Sequence, residues 1–134
     1  MAHSTKLSVR GYHLDVYGHV NNARYLEFLE EARWQFFEER GVINAITGEE
    51  LGMVVVNINI NYRRPALIHE ALEITTELTR VGNKSLIIRQ VISLAKTGDI
   101  IADTDGTYVL FDNHTGKSVA LEGEYKALLE CLMD

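Results

Sequence analysis

Asp15 heads the stretch Asp15-Val16-Tyr17-Gly18-His19-Val20-Asn21-Asn22-Ala23-Arg24-Tyr25. Gly18 marks a turn, and Asn21 or Asn22 is a good N-cap for a helix that starts there. The spacing sets a carboxylate just ahead of a helix N-terminus, where backbone N–H groups lack partners and carry a partial positive charge. A carboxylate facing a ready-made oxyanion site is what acyl transfer from a carbonyl compound requires. By residue type alone, without the surrounding motif, Asp15 reads first as a solvated turn carboxylate or a cap. Catalysis needs its ionised form. An ordinary aspartate titrates near ~3.9, so moderate burial would leave it charged at neutral pH and make it more basic.

Other side chains compete for a role. His19 lies four residues on and can orient Asp15 or the turn backbone, or serve as a structural hydrogen-bonding group. His13 is expected to be structural or to line a pocket. Glu30 falls by helical angle inside an apolar sector, where a charge needs a partner. Arg33, three residues on, can reach it. A buried Glu30–Arg33 pair is therefore expected, with Glu30 as an alternative second active-site carboxylate. His69 and His114 fall on loops and are expected to be exposed. Ser85 and Ser93 have no G-x-S-x-G context, which argues against a serine hydrolase. No His, Asp and Glu spacing would hold a metal, and no cofactor is implied.

The elements that must position these groups follow from periodicity. Lys6–Gly11 reads as a first strand. From about Asn22 to Arg40 the pattern is helical, and Gly41 stops it at C′. Tyr25, Leu26, Leu29, Ala32, Trp34, Phe36 and Phe37 spread over more than half the circumference, so the helix is expected to be wrapped on several sides. Ile43–Leu51 is a short helix or turn. The period then becomes two. Val54, Val56, Ile58, Ile60 and Tyr62 share one face, and Val55, Asn57, Asn59 and Asn61 the other, as in a half-buried strand. Pro65 interrupts the ladder. Further strands are expected over Leu72–Leu78, Ser85–Ala95 and Ile100–Phe111, separated by turns at Gly82-Asn83 and Gly98-Asp99. Asn113–Gly116 turns again, and Glu122–Leu132 closes as an amphipathic helix. The economical solution is an α+β fold: a curled antiparallel five-stranded sheet around one long central helix, with a C-terminal helix. The Asn57/Asn59/Asn61 row is either plain solvent exposure or a subunit contact.

The active-site stretch resembles the D-x-x-G-H-V-N-N-A-x-Y segment of hotdog-fold acyl-CoA thioesterases of the 4-hydroxybenzoyl-CoA thioesterase type. The likeness extends through Tyr25-Leu26-Glu27-Phe28-Leu29-Glu30-Glu31-Ala32-Arg33 and again over Val55–Pro65. The resemblance implies that Asp15 acts as nucleophile on a thioester carbonyl or as general base on a water. It places the oxyanion donor in the backbone near Asn22 and Ala23. A thioester releases a thiolate, and free thiols have a pKa of about 8.5, so one carboxylate and a helix end can suffice without a strong acid. The implied ligand is acyl-CoA, with medium- or long-chain fatty acyl groups favoured over aromatic ones. Its phosphates call for cations, for which Arg63-Arg64 and Lys84-Ser85 are candidates. Tyr25, Val56, Ile58 and Tyr62 are candidate substrate-binding residues, as are Met53 and Leu29 for the acyl tunnel; plain core packing is the competing reading for each. The Gly41–Gly52 segment is expected to shape the acyl pocket. The resemblance also implies a homodimer or homotetramer with active sites at the dimer interface.

Composition bounds the rest. One domain of 134 residues can bury a core, and a net charge of −6 argues against a nucleic-acid-binding protein. The single cysteine, Cys131, excludes an intrachain disulfide and is expected to pack in the C-terminal helix. No apolar run suits a membrane span and the N-terminus lacks a signal-peptide pattern, so a cytoplasmic protein is expected. Two rival functions share the fold: an acyl-CoA hydratase or dehydratase using His19 with Glu30 or Asp15, and a non-catalytic acyl-CoA-binding module.

Overall fold

The computed structural model describes residues 2–43 and 51–133. Strand β1 runs His3–Ser8, earlier than the expected Lys6–Gly11. A 3-10 turn over Gly11–His13 follows. Helix α1 spans Asn22–Glu39, as its periodicity predicts. Strands β2 (Leu51–Tyr62), β3 (Ala71–Val81), β4 (Leu86–Leu94) and β5 (Ile100–Asp112) come next. A short β6 (Lys117–Val119) and helix α2 (Gly123–Cys131) complete the order. The antiparallel sheet is curled and has six strands, not the expected five. β6 escapes sequence reading because three residues are too few to show a period.

The sheet order is β1-β3-β4-β5-β2, with β6 added to β5. Alternation on β3 and β4 buries Leu72, Ile74, Leu78, Leu86, Ile88 and Ile92 against α1, while β5 buries Ile101, Ala102, Asp103 and Thr104 in an unbroken run before Leu110. Two core clusters lie along the helix. One joins Tyr25, Phe28, Leu29 and Ala32 of its first half to Val9, Val20, Ala66, Leu72 and Ile92. The other joins Phe36 and Phe37 of its last turns to Leu78, Leu86, Tyr108, Leu121 and Leu129.

Three expectations need correction. The helix is not wrapped all round: Leu26 and Trp34 are 40% and 44% exposed, because the sheet covers one side only. β2 is not a cleanly half-buried strand. It is the sheet edge, a register shift between Val55 and Asn57 breaks its alternation, and Val54, Val55, Val56 and Tyr62 are exposed. Cys131 is exposed, since α2 buries Leu129, two residues and roughly 200° of helix away. The Ile43–Leu51 helix or turn lies largely outside the described residues. No helix among those described is long and apolar enough to cross a membrane.

Candidate active site

The Asp15 turn is built by three short hydrogen bonds. Gly18 N–H donates to the Asp15 carbonyl (3.0 Å), and Gly18 takes the left-handed conformation (φ 76°) that glycine adopts freely. Asp15 N–H donates to the His19 carbonyl (3.0 Å). Tyr17 N–H donates to Asp15 Oδ1 (2.9 Å), which holds the carboxylate in an Asx turn. Asp15 is half-buried, and Oδ2 has no protein partner among the described residues.

The helix start is arranged around one free donor. Asn21 is the N-cap, and its Oδ1 accepts from Ala23 N–H (2.9 Å). Arg24 N–H donates to the Asn21 carbonyl (2.8 Å). That leaves Asn22 N–H without a partner among the described residues. Of the two expected oxyanion donors, Ala23 is therefore occupied and Asn22 is open. Tyr62 O–H donates to the Asn22 carbonyl (3.1 Å), tying the end of β2 to the first helical turn.

Asp15, His19, Asn22, Tyr25, Tyr62, Arg63 and Arg64 all line one open hollow of about 550 Å³. Seven residues singled out from sequence thus meet in one place. Their roles differ in detail from those expected. The exposed His19 ring has no partner among the described residues, so His19 shapes the turn through its carbonyl. Tyr25 is buried, and its hydroxyl accepts from Ala66 N–H (3.0 Å); burial pushes that hydroxyl's pKa up. Arg63 is committed to Asp103, with Nε 2.8 Å from Oδ2, and the hydrogen bond holds the Asp103 pKa below the ordinary carboxylate value. Arg64 Nη2 is 3.5 Å from Glu70 Oε2, while its buried Nη1 has no partner among the described residues. His13 supports the site from behind. It is buried, its Nδ1 accepts from Arg10 N–H (2.9 Å), and its ring meets the edges of Tyr12 and Phe28.

The remaining candidates lie elsewhere. Glu30 is exposed, and the expected buried Glu30–Arg33 pair does not form. Arg33 Nη1 instead donates to Gln90 Oε1 (3.1 Å), and its guanidinium sits 5.1 Å from the Tyr108 ring centre. Glu30 lines a second hollow, with Trp34, Phe37, Ile43, Met53, Val55 and Tyr108. Lys84 and Ser85 lie at the β3–β4 turn, beside Val81 and Leu86 of the cluster around the last turns of α1. In one chain that is the end of the helix away from Asp15. Val56 and Ile58 lie on the edge strand and do not line the Asp15 hollow. His69 and His114 are exposed, as expected. Among the described residues no group of His, Cys, Asp and Glu can hold a metal.

Sequence reasoning missed two residues. Asp103, opposite Asn61 in the β2–β5 register, accepts from Asn61 Nδ2 (3.3 Å) as well as from Arg63. Gln90 is fully buried and donates from Nε2 to the Leu29 carbonyl and to Thr76 Oγ1, both at 3.0 Å. Its signal was visible as the one polar residue in the alternating row Leu86, Ile88, Gln90, Ile92 and Leu94.

This curled sheet around a helix, with a carboxylate turn at the helix start, is a hotdog thioesterase fold. Residues 9–129 match the model of the Thioesterase-like superfamily, and the chain belongs to that superfamily. It is 53% identical to the long-chain acyl-CoA thioesterase FadM of Escherichia coli (strain K12) over 126 residues, 94% of this chain and 96% of the relative. Among solved structures it is similar to YbaW, a probable thioesterase from Escherichia coli, with 51% identity, 98% of each chain covered and a TM-score of 0.90. A 1,4-dihydroxy-2-naphthoyl-CoA thioesterase from Synechocystis shares the fold, with 17% identity, 100% and 99% coverage and a TM-score of 0.85.

Proposed function

We propose that this enzyme hydrolyses fatty acyl-CoA to free fatty acid and CoA, with Asp15 as the catalytic carboxylate and Asn22 N–H as the oxyanion donor. One observation carries the reading: Asp15, with one carboxylate oxygen free of protein partners among the described residues, and Asn22, with its N–H free among them, line the same hollow. A thioester carbonyl lying there has a base or nucleophile on one side and a helix N-terminus on the other. Attack on the carbonyl carbon, by Asp15 itself or by a water that gives Asp15 its proton, moves an electron pair onto the carbonyl oxygen. The Asn22 N–H and the helix dipole stabilise that charge, a contribution on the order of 2.7–4 kcal/mol for one such donor. Collapse of the intermediate breaks the C–S bond and expels the CoA thiolate; where Asp15 itself attacked, the acyl group is left on it as a mixed anhydride, which a water then hydrolyses to the free fatty acid and the regenerated carboxylate. The 53% identity to a long-chain acyl-CoA thioesterase supports a fatty acyl-CoA substrate.

We also infer a homodimer, or pairs of dimers, with the site at the subunit boundary. The support is the uncharged, exposed edge strand β2, which reaches the Asp15 hollow through Tyr62.

Thiol release from acyl-CoA tests the reading. Asp15→Asn and Asp15→Ala should lower kcat by at least ~10²-fold, the scale of a positioned acid–base group, with an unchanged circular dichroism spectrum. Single turnover in H₂¹⁸O tests the nucleophilic role: label in the Asp15 carboxylate marks an acyl–Asp15 anhydride that water opened at the Asp15 carbon. Near wild-type hydrolysis by folded Asp15→Ala would overturn the proposal.

A further inference from the structure

Helix α1 carries an exposed stripe that the catalytic geometry does not use. Asn22, Leu26, Glu30, Arg33, Trp34 and Phe37 fall within about 120° of one another at 100° per residue. Asn22, Leu26, Glu30 and Trp34 of this stripe are exposed. It starts at the free Asn22 N–H and ends in the second hollow, a cleft of about 130 Å³. There Trp34, Phe37 and Ile43 face Met53 and Val55 of β2 and the Tyr108 ring. The cleft is lined mostly by apolar and aromatic side chains. Its charged groups are Glu30 and Arg33, and Arg33 is spent on Gln90 and the Tyr108 face. No feature of the Asp15 chemistry explains an open apolar cleft at the far end of the helix.

Length identifies what fits between the two places. From Asn22 to Trp34 is 12 residues and to Phe37 is 15, which is ~18 Å and ~22 Å of helix at 1.5 Å per residue. An extended alkyl chain advances ~1.25 Å per carbon, from a bond of ~1.52 Å and an angle near 111°. The span from oxyanion donor to cleft therefore corresponds to roughly 14 to 18 carbons. We propose that α1 is a ruler: the acyl chain of the thioester lies along this stripe and its methyl end enters the Trp34–Val55 cleft, which makes these residues the determinants of chain length. The inference rests on the proposed acyl-CoA reading for its occupant. Leu26 midway along the stripe is an exposed apolar residue that such a chain would cover.

Trp34 is the only tryptophan, so its emission reports on the cleft directly. The wild-type protein is titrated with non-hydrolysable S-hexadecyl-CoA and S-butyl-CoA thioethers. The long thioether should blue-shift Trp34 emission and the short one should leave it unchanged. An identical response to both, or none to either, overturns the ruler whatever the enzyme hydrolyses. Val55→Trp, which fills the cleft, should then lower the ratio of kcat/KM for sixteen-carbon over eight-carbon acyl-CoA. Each excluded methylene costs about fourfold, from ~0.8 kcal/mol per buried methylene and 1.36 kcal/mol per decade. Trp34→Ala, which opens the cleft, should move the optimum to longer chains. Unchanged ratios in both variants overturn the inference while leaving acyl-CoA hydrolysis standing. Failure of the wild type to release thiol from any acyl-CoA removes the proposed function instead, and the emission experiment still decides the cleft.

Discussion

His13 shows how a single residue behind the site couples it to pH. Burial first, and then the nearby Arg24 charge, hold its pKa below the ordinary 6.5; Glu27 opposes this in part. In the fold His13 is therefore neutral at pH values where the unfolded chain is already binding a proton. A depressed folded pKa gives stability that is complete above the unfolded value and declines as pH falls through the folded one. The loss should begin below about pH 6.5. Urea midpoints measured from pH 7.5 to 5 should fall more steeply for the wild type than for His13→Asn, whose side-chain oxygen can still accept from Arg10 N–H. Parallel curves for the two proteins would show that His13 is not the group responsible. Asp15 was legible because its type and its distance from a capped helix are both local facts. Asp103 and Gln90 were harder, since their partners lie 40 and 61 residues away and become neighbours only through strand register and sheet-to-helix packing.

At the scale of elements, helix α1 is the part that sequence determines best. Asn21 caps it, Gly41 follows its end with φ 75°, and its bounds match the expected ones closely. The cap also decides which donor stays open, because Asn21 Oδ1 occupies Ala23 N–H and leaves Asn22 N–H free. Asn21→Ala should cost about 1 kcal/mol of stability, and Asn21→Ser or Asn21→Asp should restore most of it. For a chain of this size that is a fall in Tm of roughly 3–6 °C, measured by thermal unfolding at neutral pH. β2 was the element least legible. From Val56 to Tyr62 its residues alternate in sequence, but the register shift at Val55/Asn57 and its edge position leave Val54, Val55 and Val56 exposed together. Alternation predicts a strand; it does not say whether a bulge will turn three consecutive valines outward. The same limit applied to α1, whose apolar sector predicted burial on several sides where one stripe stays open.

At the scale of the molecule, the β2 edge raises the question of what covers it. Edge strands are normally protected by charges, proline, shortness or a covering element. β2 is 12 residues long, from Leu51 to Tyr62, and contains no Lys, Arg, Asp, Glu or Pro. Its outer backbone edge has no partner strand among the described residues, and Val54, Val56 and Tyr62 are 40%, 56% and 48% exposed. A second copy pairing antiparallel along the same edge would satisfy those backbone groups in a two-fold arrangement, in which one surface meets itself. Such pairing would also bring the partner's residues up to Tyr62 and the Asp15 hollow. Val54→Lys combined with Val56→Lys sets like charges across that axis. The proposed dimer then predicts a monomer in sedimentation equilibrium, with thiol release falling alongside assembly. The wild type should stay dimeric, or a tetramer of dimers, at micromolar concentration. A monomeric wild type, or a double variant that keeps both its assembly and its activity, would refute pairing through β2.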